Sequence, residues 1–156
     1  MAASVRLLPG RALPYLRLSG RYGDEVDVAT GTIGTGMALG AGAVVIPMVR
    51  LQGDLSGEWR AIDAPGTPTG RLVHAVTSRA RVNYAFSPRL SLRGVAQWQR
   101  IERGATRAES LTGSLLATFR MDALSVVYMG VDATGAAAPG RASRTLFVKL
   151  SRAFRG

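Results

Sequence analysis

Cysteine is absent, histidine occurs once, at His74, and lysine once, at Lys149. Without a thiol there is no disulfide scaffold, no thiolate nucleophile and no Cys-based zinc or iron–sulfur site. A single imidazole makes a His-rich metal site or a Ser-His-Asp triad hard to assemble, so the sequence predicts no metal, no cofactor and no enzymatic activity. Long apolar runs are missing as well. The longest, residues 37–49, is interrupted by Pro47, and a transmembrane helix needs about 20 apolar residues. Pro9, Gly10 and Arg11 break the N-terminal stretch where a signal peptide requires a continuous apolar segment. If the protein is exported, these residues do not show how.

What is present points to a buried face. The chain has 156 residues, which suits one domain, with 20 basic residues against 10 acidic ones, a net charge of +10 and 47% hydrophobic residues. That apolar content exceeds what a disordered basic tail carries. The arginines are spread along the chain rather than gathered with stacking aromatics, so a nucleic-acid partner is not expected.

Apolar residues recur at every second position, the period of a strand. Over residues 49–61 the odd positions are Val49, Leu51, Gly53, Leu55, Gly57, Trp59 and Ala61, and the even ones are all polar or charged. That run is roughly twice the usual strand length of a soluble sheet. The same alternation surrounds Leu16, Leu39, Val76, Leu92 and Leu115 and, less cleanly, residues 124–131 and 145–154. Tight turns are predicted at residues 9–12, 46–48, 87–89 and 121–123, and longer loops at 24–32, 63–70, 102–107 and 134–143. Short and long connections in alternation predict an all-β, antiparallel up-and-down β-barrel, and the aromatics near its strand ends make the expectation a transmembrane β-barrel. Eight strands are expected between residues 14 and 154, in a single domain spanning 1–156, with residues 1–13 an extra or partial strand. A ninth strand, or an upstream portion, would make the chain the last part of a larger barrel.

The apolar parity carries aromatics near both strand ends: Tyr22, Trp59 and Trp98 towards the long loops, and Tyr84, Phe86, Phe119 and Phe154 towards the short turns. Two aromatic girdles around an aliphatic belt are what a bilayer selects. The polar parity would then line a lumen with Arg17, Arg21, Arg50, Asp54, Glu58, Arg60, Arg79, Arg81, Arg93, Arg120 and Lys149. Such an interior favours anions, with Asp54 and Glu58 expected to brace arginines on adjacent strands. The alternative is a soluble β-barrel that buries the apolar parity inwards and binds an apolar small molecule. The segment GTGMALGAG lacks the Gly-Lys-Ser/Thr ending of a phosphate-binding loop, and its alternate glycines are expected to make room for large neighbours. His74 falls on the apolar parity with no nucleophile or acid expected near it. Arg100, Arg103, Arg107, Arg141 and Arg144 sit near the loop rim, where they would meet lipid phosphates.

Two stretches, AFSPRLSLRGVAQWQR at residues 85–100 and TLFVKLSRAFR at 145–155, resemble the C-terminal part of a bacterial outer-membrane barrel family. Longer members of that family carry an N-terminal carbohydrate-binding module and have no assigned reaction. The resemblance covers about residues 71–156 and leaves that module out. It implies a structural or porin-like protein of the outer membrane, in contact with membrane lipid and lipopolysaccharide. The chain end is also similar to the signal by which outer-membrane barrels engage the assembly machinery, with Leu146, Val148, Leu150 and Phe154 on one parity. Arg152 interrupts that series, and Arg155 and Gly156 follow the aromatic that usually ends it.

Overall fold

The structure, a computed structural model, describes residues 1–65, 70–136 and 143–153. Nine strands follow one another: β1 (Ala2–Leu7), β2 (Tyr15–Asp27), β3 (Thr32–Met48), β4 (Leu51–Asp63), β5 (Arg71–Ala85), β6 (Leu90–Arg103), β7 (Thr106–Arg120), β8 (Ser125–Ala136) and β9 (Ser143–Arg152). Each pairs antiparallel with the next, giving one sheet in sequence order. The all-β up-and-down class is therefore the one expected, and the extra strand within residues 1–13 is β1. β1 and β9 form the outer edges, and no pairing joins them among the described residues.

Connections depart from expectation. The turn predicted at residues 46–48 lies inside β3, whose register slips between Val45 and Met48, and the chain reverses at residues 49–50 instead. Pro47 has no N–H to give a ladder, so an irregularity there sacrifices the least pairing. The long loops predicted at 24–32 and 102–107 are mostly strand, because β2 runs to Asp27 and β6 to Arg103, leaving hairpins at residues 28–31 and 104–105. Charge broke the apolar alternation in the sequence without breaking the ladder. Glu25, Asp27, Glu102, Arg103 and Arg107 there find partners on other strands. The loops predicted at 63–70 and 134–143 fall partly outside the described residues. The rim with the β2–β3 and β6–β7 hairpins is called upper, and the rim with the β3–β4 turn lower.

Directly opposed residues of an antiparallel pair point to the same face. One row accordingly reads Arg6, Arg17, Gly42, Ser56, Arg79, Gln97, Thr112 and Thr134 across β1 to β8, and the next reads Leu7, Leu16, Ala43, Leu55, Ala80, Ala96, Gly113 and Ala133. Polar and apolar parities thus become two faces of one sheet. The polar face is concave, because its side chains meet across intervening strands: Arg60 of β4 reaches Glu25 of β2 at 2.8 Å, and Arg103 of β6 comes within 3.8 Å of Asp27 at the end of β2.

Little is buried. Among the described residues the buried apolar side chains are Ala61, Ile62 and Val73, while Leu18, Leu39, Leu55, Val82, Leu111, Leu115, Phe119 and Val148, all on the convex parity, stay exposed. The accessible area is 11240 Å², against about 7,500 Å² for a compact soluble monomer of this mass.

Two upper hairpins turn through glycines with positive φ, Gly31 at 69° and Gly104 at 53°. A β-branched residue in that region costs about 1–2 kcal/mol, whereas Asn visits it readily. Gly104→Val is expected to destabilise the protein by about 1–2 kcal/mol in urea unfolding, and Gly104→Asn by much less. At the lower rim, in the turn between β7 and β8, the Asp122 carboxylate accepts the Leu124 N–H at 2.7 Å, which holds it below the usual carboxylate range. A carboxyl held low in the fold stabilises above its unfolded value and loses that effect on acidification. The stability difference between wild type and Asp122→Asn should therefore shrink only below about pH 4, as read by urea midpoints across that range.

Candidate functional site

The concave face carries a cleft of about 740 Å³ lined by Arg17, Ser19, Arg21, Ser56, Glu58 and Thr77, among others. On β3 it is lined by Gly40 and Gly42, and a Cβ at Gly40 would lie 2.7 Å from Ser19 Oγ. Further up β3, beyond the cleft, a Cβ at Gly36 would lie 2.6 Å from Glu25 Cβ. Glu25 lies over Gly36 and is ion-paired to Arg21 of its own strand and Arg60 two strands away. Asp54 of β4 accepts from Arg81 of β5 at 3.1 Å. Near the upper rim the buried Asp27 closes its own hairpin, accepting from Ala29 N–H at 3.2 Å and Thr30 Oγ1 at 2.9 Å, while Arg103 approaches from β6.

Of the residues expected to line a lumen, Arg17, Arg21, Asp54, Glu58, Arg60, Arg79, Arg81, Arg93, Arg120 and Lys149 all lie on the strands at concave parity. Arg50 instead occupies the β3–β4 turn and donates to the Phe86 carbonyl at 3.4 Å. The expected bracing is half as drawn. Asp54 braces Arg81, but Glu58 has no ion-pair partner among the described residues, and the two-sided brace is Glu25. Arg17 and Arg79 share a row that contains no acid from β1 to β8.

The convex face holds a polar network that the sequence reading missed. Trp59 Nε1–H donates to His74 Nε2 at 2.7 Å, which leaves Nδ1 to carry the proton facing Glu102 Oε2 at 3.2 Å. Glu102 also accepts from Arg100 Nε at 2.9 Å, and next to it Glu109 accepts from Trp98 Nε1–H at 2.7 Å and Arg107 at 2.9 Å. An acid therefore does stand beside His74, contrary to expectation. Extending the convex parity of β6 past Trp98 to Arg100 and Glu102, and of β7 back from Leu111 to Glu109 and Arg107, would have found the cluster. Glu102 and Arg107 fall within the loop predicted at 102–107, which hides the continuation of both strands.

The aromatics predicted at the two rims fall into bands. Tyr22, Trp59 and Trp98 lie in three successive convex rows at the upper side, and Tyr84 and Phe119 in rows at the lower side. Phe86 follows β5 in the turn and packs edge-to-face on Tyr84, with ring centroids 4.6 Å apart. Phe154 and Arg141 lie outside the described residues. Along β5, the Tyr22, Trp59 and Trp98 rows of the upper band meet His74, Val76 and Ser78, and the lower band begins at Tyr84, ten residues from the outermost of these rows. Ten residues of strand rise about 34 Å, or roughly 25 Å once tilted by 45°. Between these bands lie mainly aliphatic residues and glycine.

Among the described residues no group of three or more His, Asp or Glu side chains is placed to hold a metal ion. No protein-family model matches the chain, and no curated protein matches it in sequence.

Filling the space above Gly36 tests the concave brace. Gly36→Val should destabilise the protein by about 1–3 kcal/mol through overpacking, and much of that cost should vanish when Glu25→Gly, which removes the Cβ as well as the carboxylate, is combined with it. Purely additive effects in urea unfolding would show that Glu25 does not occupy that space.

Proposed function

We propose that the chain is a membrane-spanning β-barrel protein of a bacterial outer membrane, structural or pore-forming, with an arginine-rich interior that favours anions. The observation that carries this reading is the convex face. Its aliphatic belt is exposed, it is bounded by aromatic bands whose Tyr22 and Tyr84 rows lie about 25 Å apart, and the surface it belongs to is far larger than a soluble monomer of this mass presents. A bilayer covers such a face without a second protein layer, and water does not. The other reading, a soluble barrel around an apolar ligand, needs the opposite curl, with the arginines outside.

Within this proposal the upper rim meets lipid headgroups and lipopolysaccharide. Arg100 and Arg107 are on the convex side at that level, Arg144 is convex in the row of Ala80 and Ala133, and Arg103 is turned to the concave side with Asp27. The apolar series Leu146, Val148 and Leu150 on β9 is the part offered to the assembly machinery. No reaction is assigned. Both His74 ring nitrogens are engaged, by Trp59 and Glu102, which favours a positioning role in the girdle. The resemblance of residues 85–100 and 145–155 to an outer-membrane family agrees with this reading and is independent of the curvature.

The test is flotation. Protein refolded with vesicles of outer-membrane lipid should rise with them in a density gradient and resist extraction by carbonate. Protein that stays monodisperse in buffer without detergent sinks the proposal. In planar bilayers an open pore should prefer anions, and replacing Arg17 and Arg79 together by Gln should lower that preference, since no acid shares their row.

A further inference from the structure

We infer that β1 is a placeholder on the edge of β2, and that β9 replaces it there to close β2–β9 into an eight-stranded antiparallel barrel. The first argument is direction. Strands of an up-and-down sheet alternate, so β1 and β9 run the same way, and a β1–β9 seam would be parallel. β2 runs opposite to β9, so a β2–β9 seam continues the antiparallel ladder, with the even strand number usual for single-chain bacterial barrels.

The second argument is what the edges offer. Every residue of β1 and of β9 is exposed, and among the described residues each strand has a pairing partner on one side only. Such edges recruit strands. β1 pairs only from Leu16 to Arg21 of the thirteen-residue β2, with Met1 exchanging two hydrogen bonds with the Tyr22 backbone, and the edge from Gly23 to Asp27 is left uncovered. β9 brings ten residues where β1 brings six. The faces also agree: Val5 and Leu7 of β1 are convex, as are Leu146, Val148 and Leu150 of β9, while Arg6 and Lys149 are concave. The exchange therefore preserves the polarity of both faces.

The third argument is curvature. Asp27 and Arg103 approach within 3.8 Å although β2 and β6 are four strands apart. In a ring of eight, strands four apart are diametrically opposed, and only an interior narrow enough to be filled by side chains lets an aspartate and an arginine meet across it. In a much wider ring these side chains would be out of reach.

The test uses the absence of native cysteine. Leu18→Cys is combined in turn with Leu146→Cys, Val148→Cys and Leu150→Cys, three same-face positions that cover alternative registers within disulfide reach. In the folded protein at least one pair should form an intramolecular disulfide. Val5→Cys with Leu18→Cys, partners in the open sheet, should link before closure. Held oxidised, that link should cause loss of the protease-resistant form, and reduction should restore it. Three outcomes would overturn the inference: a link between Val5→Cys and Val148→Cys, disulfide dimers through β9, or normal folding with the β1–β2 link intact. Because the links are read in whichever medium keeps the protein folded, detergent or buffer, this outcome is separate from flotation. Closure can fail while the membrane reading stands, and the reverse.

Discussion

Register between neighbouring strands is the constraint on which the rest of this molecule depends. Once each residue is paired opposite a fixed partner, a whole row shares one face, and a slip of one residue would exchange the faces completely. From Leu16 through Ala43, Leu55 and Ala80 to Ala96, or from Arg17 through Ser56 and Arg79 to Gln97, the chemistry stays uniform across the sheet. The two irregularities, near Pro47 and at Ile62/Asp63, lie at strand ends, where they leave that uniformity intact. The second sets Asp63 opposite Arg71, an ion pair of 3.3 Å.

Charge is handled differently on the two faces. Inside, acids span strands, and glycine supplies the clearance: Glu25 crosses the bare backbone at Gly36 to reach Arg60, and the Phe147 ring lies over Gly130 in the same manner. Outside, the polar network joins only adjacent strands and is confined to the upper rows, where Trp59 and Trp98 present their N–H groups to His74 and Glu109. A convex surface spreads its side chains apart, so only neighbours meet. A concave one gathers them. The same curvature that makes Asp27 and Arg103 partners leaves Leu39, Leu55 and Leu111 without protein cover.

The unpaired edges give this arrangement its tension. A backbone row left without partners is tolerable in water and costs several kcal/mol per group in hydrocarbon. On the proposed reading, in which the exposed aliphatic belt faces a bilayer, the sheet has reason to finish its ladder, and the direction of its strands determines which edges can be joined without a parallel seam.

Residue order alone established the period of two, the two parities, the absence of cysteine and of any apolar run long enough for a helix across a bilayer, and the placing of Trp59, Trp98 and Tyr84 on the apolar flank. Those features are local, because a strand's faces follow from its own alternation. It misplaced the strand ends at Asp27, Met48 and Arg103, where charge or proline interrupts the pattern and only a partner across the sheet decides whether pairing continues. Long-range contacts also decided that Glu25 rather than Glu58 is the two-sided brace, that Glu102 stands beside His74, and that the arginine-bearing face is the concave one. The direction of a sheet's curl belongs to no single strand. It emerges when many strands are paired, and alternation reads the same whichever side ends up inside.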